Sequence, residues 1–117
     1  ATGAQRQIEQ AIRWLTLQYS QPVSIENMAQ TLGYHRTHLS RMFKQQTGMS
    51  PMKFLLKIRM ERAKLLLHEQ LTIEQVAASV GFSDSLYFSK QFKKWYGCSP
   101  TEYRLMRQGK ERFDCSQ

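Results

Sequence analysis

The chain has 117 residues, with 17 lysines and arginines against 9 acids, a formal net charge of +8 and a pI near 9.8. This length allows one domain or two very small ones, and the charge favours a polyanionic partner, either nucleic acid or an anionic membrane surface. The apolar residues recur at helical spacing, and no apolar run is long enough to cross a bilayer.

Three helices are predicted before the middle of the chain. In residues 5–20, apolar residues recur at steps of three and four, which is typical of an amphipathic helix. A short helix is predicted over 24–31, and Gly33 then allows a turn with positive φ. The third helix, about 36–47, leaves polar residues on its outer face and ends at Gly48.

A longer helix is predicted over 50–69, with the sequence SPMKFLLKIRMERAKLLLHE. Ser50 is a good N-cap, and Pro51 stands at the first helical position, where a missing N–H costs nothing. Apolar residues lie on more than one face of this helix, so it must be covered on several sides. We interpret it as a linker that joins two similar units. Its two main apolar stripes are Phe54, Ile58 and Leu65 on one side and Met60, Ala63 and Leu67 on another.

The helical pattern starts again after the linker. Thr72 and Gln75 have the spacing of a capping box, and Gly81 provides the turn after a short apolar face. A helix of about 84–96 follows. The letters SPTE, from residue 99 onwards, begin a last helix with an N-cap, a first-turn proline and a capping-box glutamate.

An internal repeat is the clearest feature of the sequence. SIENMAQTLGY (24–34) matches TIEQVAASVGF (72–82) with a shift of 48 residues, and beyond the turn the shift becomes 49. Helix caps, turn glycines and core positions all agree between the two copies, which indicates an internal duplication. The matched pairs include Ile25 with Ile73, Gly33 with Gly81, Phe43 with Phe92, Ser50 with Ser99, and Pro51 with Pro100.

Each copy is a short helix, a glycine turn and a second helix with a polar outer face, which is the layout of a helix-turn-helix. The second helix is the right size to fit into the major groove of B-DNA. Arg41 is suited to a pair of hydrogen bonds to guanine, and the lysines further back are suited to phosphates. The candidate DNA-binding residues are Arg36, Thr37, His38, Ser40, Arg41 and Lys44 in the first copy, and Ser83, Ser85, Leu86, Tyr87, Ser89, Lys90, Lys93 and Lys94 in the second.

The sequence resembles the DNA-binding domain of the AraC/XylS family of bacterial transcription regulators. The resemblance covers about residues 5–108 and is most specific in IEQVAASVGFSDSLYFSKQFKKWYGCSPTEYR, while KIRMERAKLLL resembles the linker helix of that family. It implies an all-α fold of seven helices, in which two helix-turn-helix subdomains (5–49 and 70–109) are joined by a linker helix (50–69) and followed by a tail (110–117). It also implies that the recognition helices enter successive major grooves.

The same resemblance implies which residues read bases. In the first copy they would be Arg36, Thr37, Ser40 and Arg41, and in the second Ser85, Leu86, Ser89 and Lys90. The second copy is less polar, because Leu86 and Asp84 lie in its contact zone. It therefore reads a thymine methyl group, accepts a hydrogen bond from a cytosine amine, or mainly holds the DNA backbone.

The function expected from these features is sequence-specific binding of duplex DNA and regulation of transcription, with activation common in the resembled family. RNA polymerase is an expected partner, and the separate effector-binding or dimerisation domain that most family members carry upstream is expected to be absent from this sequence. The alternative is a protein–protein docking module on the transcription machinery. No nucleophile–base pair, phosphate loop or metal-ligand spacing suggests an enzyme, a cofactor or a metal site.

The expected compartment is the bacterial cytoplasm, at the nucleoid. The N-terminal letters ATGAQRQ lack the apolar core of a signal peptide. Cys98 and Cys115 have neither metal nor redox spacing, so both are expected to be free thiols in a reducing compartment.

Overall fold

The computed structural model describes residues 3–108, and it is helical throughout that range apart from turns and short connections. This confirms the expected all-α fold of seven helices. The helices are α1 (Gly3–Gln18), α2 (Ile25–Leu32), α3 (Arg36–Thr47), α4 (Pro51–Leu66), α5 (Ile73–Ser79), α6 (Ser85–Tyr96) and α7 (Pro100–Arg107).

The chain forms two compact units that divide between Ile58 and Arg59, inside α4. The first half of α4 contributes Leu55 to the core of the first unit. The second half contributes Met60 and Ala63, both fully buried, on the other side of the division. A helix that serves two units needs apolar residues on more than one face, which explains its unusual pattern.

In the first unit, α3 packs against α1 and α2. Ser24 begins α2 because its hydroxyl accepts a hydrogen bond from the backbone N–H of Asn27 at 3.0 Å. Gly33 ends the helix in the left-handed region, with φ at 80°, a conformation that side-chain-bearing residues rarely adopt. The core of this unit includes Ile8, Leu15, Met28, Leu39 and Phe43.

The second unit is built around a chain of aromatic rings along α6. Phe88 and Phe92 are fully buried, with ring centroids 5.8 Å apart. The ring of Phe92 also lies 4.8 Å from Tyr96 and 5.9 Å from Tyr103 of α7, at the tilted and edge-on angles that aromatic pairs prefer. These aromatic residues are therefore part of the core of the second unit.

Local helix-start signals are confirmed where the sequence suggests them. Ser50 accepts from the N–H of Lys53 at 3.2 Å, at the start of α4. Thr72 with Gln75 and Ser99 with Glu102 form complete capping boxes, in which side chain and backbone satisfy each other in both directions.

The central helix differs from expectation at its C-terminal end. It ends at Leu66, not at residue 69, and Leu65 is 60% exposed although the periodicity places it on an apolar stripe. Arg104 of α7 holds this end, since its Nε donates to the Leu67 carbonyl at 3.0 Å and its Nη2 to the Glu69 carbonyl at 3.3 Å. Carbonyls that follow a helix need such partners, so α7 stabilises the end of α4.

Cys98 corrects one expectation. It is buried and disulfide-bonded in the structure, so it is not the free thiol expected from the cysteine spacing. Cys115 and the tail predicted at 110–117 lie outside the described residues. Within residues 3–108, none of the helices combines the length and apolar character that crossing a bilayer requires.

Candidate nucleic-acid interface

The outer face of α3 carries the candidate residues of the first unit. Leu39, Met42 and Phe43 are buried on the opposite side of the helix. The helix contains three basic residues and no acid, so its exposed face carries a net positive charge. Arg36, Thr37, His38, Arg41 and Lys44 are exposed, and Ser40 is half-buried.

The outer face of α6 carries the candidates of the second unit. Here Phe88, Phe92 and Tyr96 are buried, and the helix again contains three basic residues and no acid. Ser83, Leu86, Tyr87, Lys90, Lys93 and Lys94 are exposed, and Ser85 and Ser89 are half-buried. The structure thus brings the candidates of the first unit together on α3, and those of the second unit on α6 and the turn before it.

The two turns differ by one residue, as the change of repeat shift predicts. Gly33 is followed by two residues before α3 begins, whereas Gly81 is followed by three before α6 begins. The two helix starts also differ in the residue at the N-cap. His35 occupies the N-cap of α3 without a side-chain hydrogen bond, while Asp84 caps α6 through its side chain.

The Asp84 cap is a role that our sequence analysis missed. Its Oδ1 accepts from the N–H of Leu86 at 2.9 Å and makes a longer 3.5 Å contact with the N–H of Tyr87. Asp84 therefore stabilises the first turn of α6, both by satisfying a free N–H and by placing negative charge at the positive end of the helix. The preference of aspartate for the N-cap was the available signal.

An ion pair at the start of α3 was also missed. Arg36 Nη1 lies 2.6 Å from Glu26 Oε2 of α2, and both side chains are about 60% exposed. The pair joins the two helices of the first helix-turn-helix on the side where base contact is expected. The matching residues of the second unit are Glu74 and Ser85, which lack the arginine.

Aromatic side chains support the first turn of both candidate recognition helices. In the first unit, the rings of Tyr34 and His38 are 6.4 Å apart and edge-on. In the second, Phe82 and Tyr87 occupy the equivalent positions, with ring centroids 6.0 Å apart. The Arg59 guanidinium lies 5.5 Å from the centre of the Phe82 ring, and burial lowers the pKa of this arginine. The repeat therefore extends to the contacts that support the exposed residues.

The side chains on these two surfaces are suited to binding a polyanion. Arginine, lysine, serine and threonine side chains on an exposed helix donate hydrogen bonds to phosphates and base edges. Among the residues that the structure describes, no group of three or more histidine, cysteine, aspartate or glutamate side chains is arranged to hold a metal ion.

Comparison with known proteins identifies the architecture. A family model described as a helix-turn-helix domain matches residues 28–106. The lactose operon transcription activator of Staphylococcus xylosus is 36% identical over 98 residues. These residues cover 83% of this chain and 35% of the activator, so the chain spans about a third of the length of the curated relatives it matches.

Solved structures show the same architecture. The C-terminal domain of AraT, a response regulator from Geobacillus stearothermophilus, superimposes with a TM-score of 0.87 at 36% identity, over 97% of this chain and 95% of that one. A transcriptional regulator from Chromobacterium violaceum, of the AraC-type DNA-binding domain-containing proteins, gives a TM-score of 0.81 at 31% identity, over 90% of this chain and 95% of that one. Sequence, fold and the two basic helix faces thus lead to one conclusion: the chain belongs to the AraC/XylS family of transcriptional regulators, as its helix-turn-helix DNA-binding domain.

Proposed function

We propose that this domain binds a bipartite duplex DNA site by placing α3 in one major groove and α6 in the next. The observation that carries the proposal is the repetition of one surface: each helix buries an apolar side and exposes a basic side free of acids. Such a surface favours binding to DNA, because each phosphate that a basic side chain neutralises releases counterions bound to the DNA. The same reading divides the domain into subdomains 5–49 and 70–109, joined by a linker segment over 50–69 that contains α4.

Within each surface, position along the helix suggests the role of the residue. The N-terminal part of a recognition helix usually contacts base edges, whereas residues further back and in flanking turns meet the backbone. On this basis, the base readers are Arg36, Thr37, Ser40 and Arg41 in the first unit, and Ser85, Leu86, Ser89 and Lys90 in the second. The backbone contacts are Lys44, Ser83, Lys93 and Lys94, while His38 and Tyr87 lie in the first turn of each helix, beside the base readers.

We further propose that the domain activates transcription, in contact with RNA polymerase at the bacterial nucleoid. A similar protein is named as a transcription activator of the lactose operon. Because such relatives are about three times as long as the matched region, we propose that an effector-binding or dimerisation domain acts together with this one. The domain itself binds and does not catalyse a reaction.

Selection of bound oligonucleotides from a random duplex pool, with the 117-residue chain, tests the proposal. We expect an asymmetric motif with two parts, centred about one helical turn apart. Arg41→Ala should cost about 1–3 kcal/mol of binding free energy and relax the preference at one base position. Arg13→Ala is the control, because Arg13 is exposed on α1 while the buried Ala11 and Leu15 face the core.

Three outcomes would contradict the proposal. Recovery of no motif would favour the protein-docking alternative, in which the positive charge gives only non-specific DNA affinity. A motif with a single part would show that only one helix reads bases. An unchanged motif with Arg41→Ala would remove that side chain from the set of base readers.

A further inference from the structure

The second unit exposes apolar side chains where a DNA reader usually exposes polar ones. Among the described residues, the large apolar side chains that are mostly exposed are Leu17, Leu65, Leu86 and Tyr87. Single exposed leucines are common on protein surfaces. Leu86 and Tyr87 differ because they are adjacent, 72% and 54% exposed, and both lie in the first turn of α6.

Two contacts hold this pair in place. The Asp84 carboxylate fixes the first turn of α6 by accepting from the N–H groups of Leu86 and Tyr87. The Tyr87 ring rests beside Phe82, whose own ring lies 5.3 Å from the fully buried Phe88. The exposed pair is thus anchored to the core and presented on a regular helix, so a ligand would not have to order it.

The repeat isolates the difference between the two units. Leu86 and Tyr87 correspond to Thr37 and His38 in the first unit, which are also exposed on the first turn of their helix. Both units have an aromatic contact that supports the first turn of the second helix. The exposed residues on that turn differ between the units. The first unit offers hydrogen-bond donors and acceptors, whereas the second offers a branched aliphatic group and a phenol.

The charge around the pair indicates the partner. Leu86, Lys90 and Lys93 follow each other at steps of four and three, so they share one face of α6. No acid lies on that helix. An apolar contact followed by a row of lysines is complementary to a polyanion with an apolar group in its groove, and duplex DNA has such a group in the 5-methyl of thymine.

We propose that Leu86, with Tyr87 beside it, contacts a thymine 5-methyl group, so that the second unit selects thymine by apolar contact while the first selects bases by hydrogen bonds. The proposal rests on the proposed binding of duplex DNA by α6. The structure also favours the thymine-methyl contact over acceptance of a hydrogen bond from a cytosine amine. The Asp84 carboxylate, which would be the acceptor, already accepts from the backbone N–H groups of α6.

Replacing thymine by deoxyuridine tests this proposal, because the exchange removes the methyl group and leaves base pairing intact. Each thymine of the selected site is exchanged in turn, and the affinity of the parent chain is measured by fluorescence anisotropy. At the contacted thymine we expect about a four-fold loss of affinity, the effect of losing one buried methyl group. For the Leu86→Ala variant, the substituted and unsubstituted sites should bind equally well at that position.

Leu17→Ala is the matched control, since Leu17 has the same 72% exposure but lies on α1. It should keep the four-fold sensitivity of the parent. Both variants alter exposed side chains, so circular dichroism should show unchanged helix content. A second variant, Leu86→Val, should keep part of the sensitivity because it retains a branched apolar group.

The result separates the two proposals. If the parent selects no DNA motif, the proposed function fails. If it selects a motif but no deoxyuridine exchange weakens binding, or if Leu86→Ala remains as sensitive as the parent, the thymine contact is overturned and the proposed function stands.

Discussion

At the residue scale, Arg36 shows how a candidate base reader is restrained before DNA arrives. Its guanidinium lies 2.6 Å from the Glu26 carboxylate, with both side chains largely exposed. Ion pairs in such a position contribute little to folding stability, because water screens them. The pair should matter more for binding, because it places a negative charge beside the surface that we propose approaches phosphates.

Glu26→Gln should therefore strengthen DNA binding, by about two- to ten-fold at low salt, because it removes the acid and releases Arg36. Binding is measured by titration of the selected duplex at several salt concentrations. Glu74→Gln is the matched control, because Glu74 occupies the same position of the second unit, where Ser85 replaces the arginine. The control should give the smaller gain.

An opposite result has a definite meaning. If Glu26→Gln weakens specific binding while Glu74→Gln does not, the carboxylate orients Arg36 for a base contact and does not compete with the DNA. Equal effects of the two variants would show that only net charge matters, and that the ion pair has no separate role.

At the element scale, the two capping boxes have the same geometry and different chemistry. Thr72 pairs with the neutral Gln75, whereas Ser99 pairs with Glu102. The backbone N–H of Ser99 donates to the Glu102 carboxylate at 2.8 Å, and this hydrogen bond lowers the pKa of Glu102. A carboxylate whose pKa is lowered by folding stabilises the folded state at pH values above its unfolded-state pKa. This stabilisation is lost as the pH falls through the folded-state pKa.

The domain should therefore lose stability on acidification partly through Glu102. Glu102→Gln keeps a side-chain acceptor and removes the titration, so its free energy of unfolding should fall less steeply with decreasing pH below about pH 5. Gln75→Glu is the reciprocal variant, and it should make the fall steeper. Urea unfolding at a series of pH values from neutral down to about pH 3 measures both effects.

The capping explanation predicts the direction in which each variant changes the pH dependence of the unfolding free energy. A pH dependence that is the same in the parent and in Glu102→Gln would show that the carboxylate has no special role in folding. A flatter profile for Gln75→Glu than for the parent would contradict the equivalence of the two boxes.

At the scale of the whole molecule, the net charge of +8 is not spread evenly over the described helices. Both candidate recognition helices are basic and free of acids, whereas the helix before each of them has a glutamate in its first turn. Binding to duplex DNA should therefore weaken steeply with salt, with a log–log slope of about −0.9 for each neutralised phosphate.

Lys93→Ala should weaken binding to every duplex alike and flatten that slope by about one. Lys93→Arg keeps the charge and should leave the slope unchanged. An unaltered slope for the alanine variant would remove Lys93 from the phosphate contacts, and a loss confined to one sequence would reassign it as a base reader.

Much of this fold is readable from the sequence, because its signals are local. A helix start depends on a cap and on a residue three positions later, and a turn depends on whether one residue tolerates positive φ. The bounds 36–47 predicted for the third helix agree with α3, and Ser99 caps α7 as its neighbours indicate. The duplication extends these local signals, since the short helices, turn glycines and closing glycines of one unit have counterparts in the other.

Other features depend on which residues meet in space, and only the tertiary structure decided them. Arg104 reaches carbonyls 35 and 37 residues earlier in the chain, and Glu26 meets Arg36 from the preceding helix. Leu65 is exposed although its helical periodicity is that of a core residue, because periodicity defines a face without saying what covers it. Sequence alone thus determined the helices, most of their caps and the repeat, since these follow from neighbours along the chain. The contacts that support and restrain the exposed faces were decided by folding, since their partners are brought together only when the helices pack.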